Sequence, residues 1–382
     1  MSPDCRTPLL FAGLIAGLGT SLEAQAPGPS RAEWAVGFTH LVAADSTRPL
    51  SSGSPRALDV GIWYPARRAG AQTLTYRTYF LLAPPARDSL APAEAARREL
   101  DEFTGFLAAH GAAPAAVTAW LDAPMAATAD APLAAGRFPL VLVAQGNGQT
   151  LHDQAPLCES LASHGFVVAT APSPMRIAGP LADEREVGAR ASEQALDLAF
   201  VLAQVAMRPE VDARRVGVIG HSFGARAALL LSMREPRVAA LVSLDGGIGT
   251  AAGRESLEAA PAYAPDSARA PILHFYERLD PFMAPDFGLL RSLTSADRYL
   301  VLVPAMHHHH FTSLGDASVE HPALRGAVAA TAGTASAWAA VSAATRDFLD
   351  AYLKRDARAR ERVAKGAWPP LGAVEHLARG SR

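Results

Sequence analysis

The stretch VGVIGHSFGARAALLLS, Val216 to Ser232, constrains the fold more than any other. Val216, Val218 and Ile219 suit a buried strand, and Ala225 to Leu231 suits a helix packed on a sheet. Between them, Gly220-His221-Ser222-Phe223-Gly224 reads G-x-S-x-G. A serine held in a strained strand-to-helix turn needs small neighbours, because only these let the helix approach the strand. That context predicts Ser222 as an exposed nucleophile at the end of a buried strand. The bland reading, a glycine-rich turn, fits the pentapeptide alone. The rest of the chain must therefore supply a base, an acid and an oxyanion hole.

From Phe138 the pattern is regular. Strands are predicted at Pro139–Ala144, Phe166–Ala171, Val216–Ile219, Val238–Leu244, Ile272–Tyr276 and Arg298–Val303. Helices fall between them, at Asp153 to His164 and at Glu186 to Val205. In the second, Ala191, Ala195, Leu198, Leu202 and Val205 share a face. Short apolar strands alternating with helices predict an α/β fold, a mainly parallel sheet covered on both faces. Earlier strands are expected at Trp34 to Val42 and at Ala57 to Tyr64. Residues 84–132 are alanine-rich and helical in places, an insertion that either lies over the site or decorates the surface. No linker or repeat interrupts the remainder, so residues 25–355 are expected to form one domain, with 356–382 a charged, solvated tail.

The N-terminus differs in kind. Arg6 precedes an apolar run, Leu9 to Gly19, and then small residues to Ala24, which predicts a signal peptide over residues 1–24. The run is too short for a comfortable permanent span, so no stable membrane anchor is expected after cleavage, and the protein is expected to be secreted or periplasmic. Of two cysteines only Cys158 would remain, and its helical apolar surroundings make it a packing residue. A net charge of −2 gives no pull toward nucleic acid.

In an open parallel sheet the site lies at the carboxyl ends of the strands. Pro139–Ala144 runs into Gln145-Gly146-Asn147-Gly148, a turn suited to aim a backbone N–H at a developing oxyanion. The oxyanion hole is therefore expected from the N–H groups of Asn147 and Phe223. Beyond Arg298–Val303 come His307-His308-His309-His310 and Phe311. Neighbouring side chains in a loop rarely converge on one ion, and no Cys/His/Asp set with ligand spacing accompanies them, so no metal is expected. One of the four is the predicted base. Two strand ends offer an acid, Asp245 in LVSLDGG and Asp280 in ILHFYERLDP.

Trp63-Tyr64-Pro65-Ala66, FPLVLVAQGNGQ, LASHGFVVATAPSP, GHSFG and HHHHFTSLG together resemble the α/β-hydrolase superfamily. Within it they are similar to dienelactone-hydrolase-like and platelet-activating-factor-acetylhydrolase-like serine esterases. The resemblance covers about residues 35 to 355. It implies an α/β-hydrolase fold, cleavage of small-molecule carboxylic esters through an acyl-enzyme, and no cofactor. Acetylhydrolase-like members carry the acid in an L-D context after the strand that follows the nucleophile helix, and the histidine three residues before a phenylalanine. That implies Asp245 and His308. The more usual superfamily arrangement implies Asp280 as the acid instead. An amidase or peptidase with the same triad, and a non-catalytic binding protein on the same fold, are the alternatives.

Overall fold

A computed structural model of the chain describes residues 33–50, 53–67, 72–82, 91–176 and 181–381. The predicted signal peptide lies outside the described residues. From Arg31 onward the chain forms one compact unit.

Among the described residues the sheet has eleven strands: β1 Ala35–Asp45, β2 Arg56–Ala66, β3 Thr73–Thr75, β4 Pro124–Ala129, β5 Phe138–Ala144, β6 Val167–Ala171, β7 Val211–His221, β8 Val238–Leu244, β9 Ile272–Tyr276, β10 Arg298–Leu302 and β11 Val374–Leu377. Their spatial order is β11-β10-β9-β8-β7-β5-β6-β2-β1-β4-β3. Pairings from β6 across to β10 are all parallel, whereas β2, β3 and β11 join antiparallel. The parallel centre is largely apolar and buried because both of its faces are covered. In β5, Val141 and Val143 join one apolar cluster while Leu140, Leu142 and Ala144 join the other, as the two-residue period of a strand requires.

Six helices matter here: α1 Tyr76–Leu82, α2 Pro92–Ala109, α3 Pro114–Leu121, α4 Ala155–Ser163, α5 Glu184–Val205 and α6 Gly224–Arg234. Residues of α5 and α6 fill one cluster, those of α1, α3 and α4 the other. Cys158 is wholly buried in α4, and burial, then the charge of Glu159, pushes its thiol well above its ordinary value. Asp183 caps α5 by accepting the Glu186 N–H at 3.0 Å.

Two regions depart from expectation. The charged tail is part of the fold. Its helix Ala357–Lys365 buries Ala359 and Val363, Trp368 Nε1–H donates to Asp347 at 3.0 Å, and β11 pairs with β10 along the sheet edge. Four residues, only half of them apolar, carry too weak an alternation to be read as a strand. Within 84–132 the described residues form α2, α3 and β4, and β4 extends the sheet by pairing with β1 and β3. Helices α1 and α2 meet the short 3₁₀ turn Leu151–Gln154, where Phe80 stacks on His152 at 3.6 Å and Phe103 lies 6.0 Å from it between ring centres. Among the described residues no helix is long and apolar enough to cross a membrane.

Candidate active site

Ser222 follows the last residue of β7 and has φ 52°, a left-handed conformation that a non-glycine residue adopts only when its surroundings enforce it. The two flanking glycines explain how that is possible. A Cβ at Gly220 would sit 2.5 Å from the Ala225 Cα, and one at Gly224 would sit 2.1 Å from the Ala144 carbonyl oxygen. Any side chain at either position would push α6 off the sheet. The Ser222 N–H donates to Leu244 O at 3.2 Å, and its carbonyl accepts the Gly247 N–H at 2.9 Å, so the turn is tied to the end of β8.

The Ser222 hydroxyl lies 2.8 Å from His308 Nε2, and His308 Nδ1 lies 2.6 Å from Asp245 Oδ2. For a neutral ring these contacts give one consistent arrangement, with Nδ1–H donating to the carboxylate and Nε2 accepting from the serine. Asp245 is buried directly after β8, and its Oδ1 accepts the Glu277 N–H at 3.2 Å. Burial pushes its carboxyl above the ordinary value, against the pull of the His308 ring.

Asp280 is close by but faces other atoms. It accepts the His308 backbone N–H at 2.7 Å and meets His307 Nδ1 at 3.0 Å. Burial raises its carboxyl, but those two donors outweigh it and hold it below the usual carboxylate range. Glu277 in turn accepts the N–H groups of Leu279 and Asp280.

The four adjacent histidines do not converge on one point. His307 faces Asp280, His308 faces Ser222 and Asp245, and His309 and His310 both direct Nε2 to Val328 O, at 2.9 and 2.6 Å. His310 Nδ1 also accepts the His307 N–H at 2.9 Å; burial and the neighbouring His309 push its pKa down to about 4. Among the described residues no group of three or more His, Cys, Asp or Glu side chains is placed to hold a metal.

Asn147 lies at the exposed tip of the turn after β5, and Phe223 opens α6. Neither N–H has a hydrogen-bond acceptor among the described residues, as donors reserved for a ligand oxygen would be left. Phe282 is 70 % exposed and stands edge-on to His308 at 5.2 Å, with Leu279 47 % exposed nearby in sequence. This apolar lip had no periodic signal in the sequence. His221 and Gln149 were also missed: their ring and amide lie 3.0 Å apart beside His308, inside motifs read for other residues.

The sequence model of the Dienelactone hydrolase family matches residues 125–346. The chain is 33% identical over 107 residues to Cutinase 2 of Thermobifida cellulosilytica, covering 28% of this chain and 39% of that one. It is 33% identical over 107 residues to Cutinase cut1 of Thermobifida fusca, covering 28% and 32%. The chain thus spans about a third of the length of these curated relatives. Among solved structures, a ferulic acid esterase from Streptomyces cinnamoneus superposes with a TM-score of 0.61 at 23% identity, over 86% of this chain and 93% of that one. That likeness shows the fold, with its mostly parallel sheet.

Proposed function

Because the chain belongs to the dienelactone hydrolase family of α/β hydrolases, we propose that it is a serine hydrolase of carboxylic esters. The observation that carries the proposal is the contact of Ser222 Oγ with His308 Nε2 at 2.8 Å on a strained elbow. Ser222 attacks the ester carbonyl while His308 takes its proton. Asp245 holds the ring in the Nδ1–H tautomer and stabilises the imidazolium that forms. The N–H groups of Asn147 and Phe223 hold the oxyanion. His308 then gives its proton to the leaving alcohol, and water, activated by the same ring, releases the acid. The cutinase and ferulic acid esterase relatives support the ester as substrate class. No step draws on a metal or organic cofactor. The N-terminal run Leu9 to Gly19, followed by Ala24, supports export to the periplasm or medium.

The test is turnover of p-nitrophenyl acetate, butyrate and octanoate, with and without chelator, together with labelling by a fluorophosphonate probe. Chelator-resistant turnover and labelling are expected, both lost in Ser222→Ala while the fold is retained. The residual rate should be only what binding and the oxyanion hole supply. Full turnover in Ser222→Ala overturns the assignment. N-terminal sequencing of mature protein from its native envelope is expected to begin near Gln25; residues 1 to 20 intact would overturn export with cleavage.

A further inference from the structure

His221 precedes the serine, and its buried ring touches the loops on both sides of it. Nδ1 lies 3.0 Å from Gln149 Oε1, Nε2 lies 3.3 Å from the His308 carbonyl oxygen, and the ring stacks on the His308 ring at 4.8 Å. Gln149 Oε1 is also the acceptor of the Gly146 N–H, at 2.6 Å. Gly146 and Gln149 bracket Asn147, and the Gln149 N–H closes the turn onto Gly146 O at 3.2 Å. No room is spare: a Cβ at Gly146 would sit 2.6 Å from Gln149 Oε1 and 2.9 Å from His221 Nδ1.

The hydrogen-bond roles follow from the chemistry of the groups. A backbone N–H can only donate, so the Gln149 atom facing Gly146 is the carbonyl oxygen and not the amide nitrogen. That oxygen and the His308 carbonyl oxygen can both only accept, and the nearer of the two, Gln149 Oε1 at 3.0 Å against 3.3 Å, favours a His221 proton on Nδ1. Burial, then repulsion from His308, holds the His221 pKa well below its ordinary value, and the ring has one proton to give. Gln149 receives it, not the His308 carbonyl.

We propose that Gln149 and His221 are positioning residues that clamp the oxyanion turn. Gln149 Oε1 holds the Gly146 N–H, His221 Nδ1–H holds Gln149 Oε1, and the Asn147 N–H is thereby fixed relative to Ser222. The clamp rests on the ester-hydrolase reading and deepens it; neither side chain touches the substrate. His221 is covalently joined to Ser222, so one oxyanion donor is tied to the nucleophile whose oxyanion it must meet. The tip itself, Asn147 and Gly148, is exposed. Oxyanion holes work because their donors are aimed before charge develops. A loosened turn should therefore lose transition-state stabilisation and not substrate binding.

The test compares wild type, Gln149→Ala, His221→Phe and the double variant. It measures p-nitrophenyl butyrate kinetics, affinity for an aryl trifluoromethyl ketone whose hemiketal oxygen occupies the oxyanion position, and thermal midpoint. Gln149→Ala is expected to lower kcat and kcat/KM alike, by roughly tenfold to a hundredfold, less than loss of a whole donor. KM and thermal midpoint should stay near wild type, and ketone affinity should fall by the same factor as kcat. The acid limb of the kcat/KM pH profile should not move, because Gln149 does not touch the His308 ring. His221→Phe keeps a ring against His308 but lacks Nδ1–H; it should lose as much, and the double variant no more than the worse single. Wild-type kcat in Gln149→Ala, a change in KM alone, or additive losses would overturn the clamp. If His221→Phe does not fold, Gln149→Ala and the ketone decide alone. A wild type inert to ester and fluorophosphonate overturns the ester-hydrolase reading and the clamp with it; an active wild type beside an unaffected Gln149→Ala overturns only the clamp.

Discussion

The carboxylate of Asp245 meets the imidazole of His308 at 2.6 Å across a separation of 63 residues in the chain. Asp280, one strand later, bonds the backbone of the same histidine and the ring of its neighbour. The two acids therefore do different work, and substitution should separate them. Asp245→Asn leaves the ring free to settle in the wrong tautomer, which costs as much as ~10⁴ in turnover with the fold intact. Asp280→Asn keeps one oxygen able to accept the His308 N–H and should lose little activity. Asp280→Ala removes that acceptor and should lose several-fold more than Asp280→Asn. Steady-state kinetics on all three decide it, and the reverse ranking of the two Asn variants would move the triad to Asp280.

Single alanine substitutions along the histidine run should likewise be unequal. His308→Ala is expected to abolish turnover, because it alone touches Ser222. His309 and His310 anchor the loop to Val328 O, so their loss should lower the thermal midpoint more than it lowers kcat. His307→Ala should be mild in both. Equal small losses at all four positions would place the base elsewhere, and a loss reversed by zinc would restore a metal reading.

The exposed Phe282 ring, edge-on to the His308 ring, offers apolar area to a substrate chain beside the reacting carbonyl. Phe282→Ser should raise KM for p-nitrophenyl octanoate several-fold and leave acetate nearly unchanged, since only the longer chain reaches apolar surface worth about 25 cal/mol per Å². An equal change for both esters would mean that the ring packs against His308 without meeting substrate.

What the sequence made legible is what repeats or strains the backbone. The central strands read true because both of their faces are apolar, and the tight strand-to-helix turn at Ser222 was legible because only glycines fit at 220 and 224. The edge did not. β3 and β11 have only three and four residues, and β4, Pro-Met-Ala-Ala-Thr-Ala, is made mostly of small residues with one buried position, so no two-residue period rises above composition. The residues alone did not separate Asp245 from Asp280 either, since one directly follows β8 before a glycine and the other stands in the loop after β9 before a proline. Which of them meets the His308 imidazole depends on where the loop after β10 returns, and spacing along the chain does not encode that. Gln149 and His221 were hidden for the same reason: they lie 72 residues apart and meet only once β5 and β7 pair.

Glu159 on α4 ties α1 to β4 and should leave a signature in stability against pH. Its carboxyl is buried, and it accepts the Tyr79 hydroxyl at 2.6 Å and the N–H groups of Ala127 and Ala126 at 3.1 and 2.7 Å. Burial pushes its pKa from 4.5 up to about 7, and the three donors pull against that rise without cancelling it. Below about pH 4.5 the carboxyl is protonated in the folded and unfolded chain alike, and its contribution is fully present. Between 4.5 and about 7 the unfolded chain releases the proton while the folded one keeps it, so stability falls as pH rises through that window. At 1.36 kcal/mol per unit, the full fall is on the order of 3 kcal/mol. Glu159→Gln removes the titration. The variant loses the carboxyl acceptor facing the Ala126 N–H and should be less stable throughout, but its deficit should shrink between pH 4.5 and 7.5. Chemical denaturation of wild type and Glu159→Gln at four pH values across that range measures it. A deficit that stays constant or widens with pH would mean that the folded carboxyl is already ionised, its charge carried by Tyr79 and the two β4 amides.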